Sequence, residues 1–413
     1  MTVSEAFQQS VNLVFIRLMR DIEHYYMYRV PGATPAILTD SNDSARIGYL
    51  DRFADFEGRT FLRRFYNKYA GLTPQQSLQK LVAGVSLTPL RAAVIFRSVR
   101  PQAGLDEFTA FLRGHLAAST LGREDPAELY EKYGPDRFDL NDRGYLAHVH
   151  PLELWLLHYR EQHPDATLQQ VFAASAPERR QVYHWLFKTR YKHAQDKRIQ
   201  TLLEIDAFQL IHQAWQRLGY PFSTLTPSYA TCIGVSGDTP HALAELAGIL
   251  LNGGMRYPSI GIQQLQFARA TPFETILSHQ TGQGVRVLSP PIARLVRQEM
   301  IGVVENGTGR RACGGIKLTD GSVLPIGGKT GTGDNRLQEF GPHGGMIASK
   351  VVNRTAAFVF FIGDRFYGTI LAFVPGPTAG NYNFTSALAV QLLKDLEPRL
   401  VPLLSGDESH LHG

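Results

Sequence analysis

Between Gly327 and Asn335 the sequence reads GGKTGTGDN, directly after the β-like run SVLPI. A cation, two hydroxyls and a bare stretch of backbone stand side by side there. On a strand edge, such a stretch can take a peptide as an added strand through main-chain hydrogen bonds. Gly331 has no Cβ to hold that backbone away. Lys329, with the hydroxyls of Thr330 and Thr332, would face the ligand's terminal carboxylate and offer charge-assisted hydrogen bonds. The plain structural alternative is a glycine-rich hairpin with a solvated lysine. A second group is Ser10-Val11-Asn12, the only Ser-x-Asn in the chain. A serine hydroxyl in a loop can relay a proton, and an asparagine can steady a lysine with its carbonyl and a substrate amide with its other atoms. The alternative there is an ordinary helix cap. A third group is Ser77-Leu78-Gln79-Lys80, the only Ser-x-x-Lys. It makes Ser77 a candidate nucleophile with Lys80 as base, provided burial lowers the lysine's pKa; a solvated helix face is the competing reading.

The elements that must position these groups follow from pattern. Val14, Leu18, Ile22 and Tyr25 fall on one helical face after a break at Ser10–Asn12. VPGATPAILTDSND is rich in turn formers and marks a boundary. From about residue 51 to 218 the pattern is helical; Thr73 followed by Pro74 predicts one helix start. TPHALAELAGILLNGG and PPIARLVRQEMIGVVENGTG predict helices closed by glycine. RTAAFVFFIGD and YGTILAFVPG predict two strands joined by the short DRF connection as an antiparallel hairpin. NFTSALAVQLLKDLEPRL predicts a last helix, and the stretch 401–413 a polar tail. The expected fold class is α+β: an antiparallel sheet flanked by helices, with a largely helical insertion. The expected divisions are 1–30 carrying Ser-x-Asn, the helical insertion 31–200, and the core 201–400 carrying Lys-Thr-Gly.

Bulk properties exclude several classes. The chain has 413 residues, 44% hydrophobic and 19% charged, with a formal charge of +5. Those values are ordinary for a globular protein and only mildly favour an acidic or anionic partner. Two cysteines rule out a disulfide framework and a Cys-rich metal site. His148, His150, His158 and His163 lack a recognised ligand spacing, so no metal is expected. No run of about 18 apolar residues exists, so no membrane span is encoded, and no signal peptide is legible at the start. The basic run APERRQVYHWLFKTRYKHAQDKR is compatible with anionic glycan or lipid headgroups, or with a solvated helix face.

Ser-x-x-Lys, Ser-x-Asn and Lys-Thr-Gly together mark penicillin-binding proteins and class A β-lactamases, and this chain carries the last two in that order. The likeness extends beyond the triplets. SVNLVFIRLMRD, IGVSGDTPHALAELAGILLNGG and VLSPPIARLVRQEMIGVVENGTGRRA resemble successive segments of the transpeptidase domain of bifunctional class A penicillin-binding proteins. The resemblance covers residues 1–28 and 200–398, approximately. It implies a penicillin-binding, serine β-lactamase-like fold. It also implies an acyl-enzyme transpeptidase that cross-links D-Ala-D-Ala stem peptides of peptidoglycan, is acylated by β-lactams, needs no cofactor and acts on the periplasmic face of the membrane. In that scheme Ser10 relays protons and Asn12 orients the lysine and the substrate. Lys329, Thr330 and Thr332 grip the carboxylate.

The chain departs from the family at two points. The family's nucleophile lies in a Ser-x-x-Lys ahead of Ser-x-Asn, and none of the nine residues before Ser10 makes one. The expectation is therefore a C-terminal part of such an enzyme, beginning downstream of its serine, glycosyltransferase domain and anchor. The second departure is the long helical stretch between the two motifs, which has no reading of its own. Two other functions stay open: a non-catalytic module that binds cell-wall peptide or serves as a scaffold, and a β-lactamase- or carboxypeptidase-like hydrolase using Ser77.

Overall fold

The computed structural model describes residues 1–122, 124–279, 282–340 and 345–405. The chain divides into two compact units, residues 1–30 with 204–413, and residues 31–203.

The unit of residues 31–203 is helical wherever it is described with regular structure. Its helices start on local signals. The Thr73 side chain accepts from the Gln76 N–H while the Gln76 side chain accepts from the Thr73 N–H, and Pro74 fills the first helical position of Pro74–Ala83. Phe96, Phe108, Leu112 and Leu154 fill one core, and Leu62, Leu152 and Leu156 a second. The basic run is exposed at Arg180, Lys188, Arg190 and Lys197 but turns one arginine inward. Arg179 is buried and ion-paired to Asp55, and Arg180 pairs with Asp51. A buried guanidinium must find acceptors, and these carboxylates supply them. The four histidines are likewise engaged one by one. His150 caps the helix Pro151–Gln162 and stacks 4.3 Å from Phe61, and burial lowers its pKa to about 4. His158 lies 3.0 Å from the Val99 carbonyl, His148 faces Arg91, and His163 sits 4.7 Å from the Tyr159 ring.

In the other unit, helix α1 (Val3–Gln8) and helix α2 (Asn12–Met27) are separated by the Ser10 break. Further on come α3 (Pro240–Leu251), α4 (Pro290–Asn306) and α5 (Ala387–Leu404). Strands β1 (Ile326–Phe340), β2 (Met346–Ile362) and β3 (Phe366–Pro375) form one antiparallel sheet in the order β1-β2-β3. β2 and β3 make the expected hairpin, and Gly363 takes the left-handed conformation its turn requires, φ 58°. Lys329 pairs with Val359 and Gly331 with Ala357 across β1 and β2. The mixed class expected from pattern, an antiparallel sheet with helices packed around it, is what this unit displays.

Successive side chains of a strand point to opposite faces, and the two faces of this sheet are covered differently. Ile326, Phe358 and Ile362 pack against Ala389, Val390 and Leu393 of α5. Phe361 packs on the other face against Leu250 of α3, Met300 of α4 and Phe7 of α1. Fully burying an aromatic side chain of this kind stabilises by about 2–3 kcal/mol, so these contacts fix the sheet between its helices. Helix α2 is rotated from its expected orientation. Ile22 and Tyr25 are 45% and 53% exposed, while Met19, Glu23 and Met27 are buried. Met19 packs against Phe208 and Ile211, and Glu23 follows it inward one turn later. Burial and the nearby charge of Glu204 push the Glu23 carboxyl up to about 7.

Candidate functional site

Ser10 and Lys329 lie at opposite ends of the sequence and meet in the structure. The Lys329 Nζ donates to Ser10 Oγ at 2.8 Å and to the Thr330 carbonyl at 3.0 Å. The amine also lies 5.7 Å from the centre of the Phe7 ring, on the sheet face that Phe361 shares with α1 and α4. Burial alone lowers the Lys329 pKa to about 8. An amine so placed is a counter-charge for an anion when protonated and a usable base when not.

The local structure explains how Ser10 arrives there. Helix α1 is moored along α4. Ser4 Oγ donates to Glu299 at 2.6 Å, Gln9 Nε2 to the Asn306 carbonyl at 2.9 Å, and the Thr308 N–H to the Gln8 carbonyl at 3.1 Å. The helix then ends in a tight turn in which the Val11 N–H bonds the Ala6 carbonyl at 2.9 Å and Ser10 has φ 55°. That is a Schellman closure, with serine at the left-handed position where glycine is favoured. Ser10 is only partly exposed.

Sequence reasoning passed over Gly307 and Thr308, although the Gly-Thr-Gly ending of α4 was a visible signal. A Cβ on Gly307 would lie 2.1 Å from the Gln8 carbonyl oxygen, a backbone atom that cannot step aside without moving α1. Gly307→Ala is expected to destabilise the protein by about 1–3 kcal/mol. As the Ser10 turn lifts and water enters, the Lys329 amine should titrate closer to an ordinary lysine. Thermal melts and NMR titration of the lysine amines check both effects.

The remaining motif residues fall in different places. Thr330 and Thr332 lie on the pleat opposite Lys329, by strict alternation along β1. Thr330 is buried with its hydroxyl 2.6 Å from that of Thr308, and Thr332 Oγ1 accepts from the Ser386 N–H at the start of α5. Both hydroxyls expected to grip a carboxylate therefore have protein partners. Gly331 shares the face of Lys329 and is exposed; a Cβ there would meet only the Ala357 Cβ, at 4.0 Å. The protein's own packing does not require glycine at this position. Asn12 is exposed at the first position of α2, and among the described residues its side chain makes no hydrogen bond to Lys329.

Ser77 and Lys80 belong to the other unit, and they are not brought together there. Ser77 is 3% exposed and its hydroxyl has no hydrogen-bond partner among the described residues. Lys80 donates instead to the Lys68 carbonyl at 2.8 Å. Ser77, Leu78, Leu81 and Val82 form the inward stripe of their helix, so the serine is enclosed rather than solvated. Among the described residues no three His, Cys, Asp or Glu side chains are grouped to hold a metal, and no helix is long and apolar enough to cross a membrane.

No protein-family model matches the chain, and no curated protein matches it. Its structural neighbours are penicillin-binding transpeptidase domains. They include penicillin-binding protein 3 from Mycobacterium tuberculosis complexed with ampicillin, at 17% identity over 49% of each chain and a TM-score of 0.32. Penicillin-binding protein A from M. tuberculosis, as a ceftriaxone acyl-enzyme complex, is 17% identical over 48% of this chain and 45% of that one, with a TM-score of 0.34. The D,D-transpeptidase domain of a peptidoglycan glycosyltransferase from Eggerthella lenta is 16% identical over 48% and 50%, with a TM-score of 0.31. The chain spans about half the length of these proteins.

Proposed function

We propose that this chain is a penicillin-binding, transpeptidase-type domain of the class A kind, acting on the cell-wall side of a membrane. Its groove beside β1 binds the carboxylate end of acyl-D-Ala-D-Ala stem peptides and of β-lactams. The single observation that supports this reading is the 2.8 Å bond between Lys329 and Ser10, which joins the Lys-Thr-Gly and Ser-x-Asn motifs in one place. Lys329 supplies the positive charge for the ligand's carboxylate. Gly331 leaves the backbone of β1 open to a ligand strand, because no atom of the protein occupies the space a side chain would take. β1 pairs with β2 alone among the described strands, so its other edge has main-chain groups to offer.

The test is equilibrium binding of an N-acyl-D-Ala-D-Ala peptide and of a fluorescent penicillin, with wild type and Gly331→Val compared. Wild type should bind both. The valine variant should bind at least about tenfold more weakly, corresponding to about 1.4 kcal/mol, with an unchanged melting temperature. Wild-type protein that binds neither compound, at concentrations up to the millimolar range, ends the proposal.

A further inference from the structure

Charge is not spread evenly over the helical unit of residues 31–203. Its helix Ala45–Lys68 carries six basic residues against three acidic, and residues 176–198 carry seven against two. These segments share one core, through Leu62 and Val182. Residues 105–142, whose Phe108 and Leu129 pack in the other core, carry four basic residues against nine acidic.

On helix Ala45–Lys68 the three carboxylates are already engaged. Asp51 holds Arg180 at 2.8 Å, Asp55 holds Arg59 at 2.8 Å and also the buried Arg179, and Glu57 accepts from the Tyr183 hydroxyl. What remains is a cationic stripe. Positions 56, 59 and 63 follow the i, i+3, i+7 repeat of one helical face, and 64 adjoins it. Phe56, Arg59, Arg63 and Arg64 are all exposed, Phe56 by 58%. Arg63 and Arg64 have no carboxylate partner among the described residues. Arg59 and Arg63 are like charges one turn apart and repel, yet both guanidinium groups lie over the ring of Phe172, 5.4 and 5.8 Å from its centre. Two cations held on one ring beside a third are preorganised for phosphate oxygens, which arginine grips with paired N–H groups. Phe56 stands in the same row with more than half its surface in water.

We propose that this stripe is a docking surface for an anionic phospholipid bilayer, with the arginines on headgroup phosphates and Phe56 in the layer just beneath. The phenylalanine selects a bilayer over a water-soluble acidic polymer. Burying its ring at the acyl boundary removes apolar surface from water, and a hydrated polymer offers it nothing comparable. Contact of this kind is superficial and reversible, and no helix has to cross the membrane. The proposal rests on neither the Lys329 site nor its ligand.

The experiment is co-sedimentation of the full chain with vesicles of phosphatidylcholine alone, and of phosphatidylcholine with about 30% phosphatidylglycerol, in about 0.1 M salt. Wild type should bind the mixed vesicles at least about tenfold more tightly than the neutral ones. Arg59→Gln, Arg63→Gln and Arg64→Gln together should abolish that preference. The same three positions changed to lysine should keep most of it, since the charge remains. Arg113→Gln, Lys132→Gln and Arg137→Gln remove as much charge from the acidic segment and should leave binding unchanged. Phe56→Ser should weaken binding roughly fivefold. Every variant should melt as wild type does, because these side chains are exposed. Wild type that does not distinguish the two vesicles overturns the proposal. So does equal weakening by the two glutamine triples, which assigns the effect to net charge alone. A Phe56→Ser variant that binds as wild type, with full displacement by dextran sulfate, assigns the stripe to a soluble acidic polymer and overturns the bilayer.

Discussion

Lys329→Met is expected to weaken equilibrium binding of an acyl-D-Ala-D-Ala peptide and of a β-lactam at least about tenfold, corresponding to about 1.4 kcal/mol. Two physical losses combine. The hydroxyl of Ser10 no longer has its donor at 2.8 Å, and the groove no longer has a cation for the ligand's carboxylate. Methionine keeps most of the side chain's length and its apolar packing near Phe7, so the loss isolates the amine. The protein should nevertheless be no less stable. Lys329 is largely withdrawn from water and no carboxylate contributes to its pKa shift; the cause is burial alone. Its charged form is therefore disfavoured in the folded state. Because the folded pKa is depressed to about 8 from 10.5, the unfolded chain binds more protons between those two values, and wild-type stability rises with pH across that window. The variant lacks this rise. Its melting temperature should match or exceed wild type below pH 8, and the difference should shrink toward pH 10.5. A variant that binds both ligands normally, or that melts well below wild type at pH 6–7, contradicts this account.

The second large effect is the pH dependence of binding. Lys329 is a counter-charge only when protonated, and burial lowers its pKa to about 8. Affinity for a carboxylate ligand should therefore be highest below pH 7 and fall as pH rises through 8, approaching the affinity of Lys329→Met. Equilibrium binding of the acyl-D-Ala-D-Ala peptide between pH 6 and 10 checks this. A flat affinity profile across that range sinks the counter-charge assignment.

Much of the architecture was legible because its signals are local. Thr73 with Pro74, and Thr239 with Pro240, start helices by satisfying orphan N–H groups within a few residues. The run of aromatic and β-branched residues from Thr355 to Ile362 pairs as a strand, and Gly363 turns it. The break at Ser10 was visible for the same reason. What the sequence hid depends on packing partners far away. Helix α2 buries Met19 and Glu23 rather than Ile22 because Phe208 and Ile211 lie on that side. Ser77 is polar and flanked by glutamines, yet it shares the inward stripe of Leu78 and Leu81. Within the site, the motif spacing brought Lys329 and Ser10 into view. It did not reveal that strand alternation sends Thr330 and Thr332 to the opposite face, toward Thr308 and Ser386. Nor could it reveal that Gly307 is kept bare by the carbonyl of Gln8, since that contact joins two ends of the chain.

The separation of the pair also has a temporal side. Ser10 and Lys329 are 319 positions apart, and a ribosome adds about 5–20 residues each second. For some tens of seconds the growing polypeptide holds the hydroxyl before the amine has been made. A nascent chain in that interval carries the serine without its cation, and the site is complete only when the distal strand docks beside the first helix.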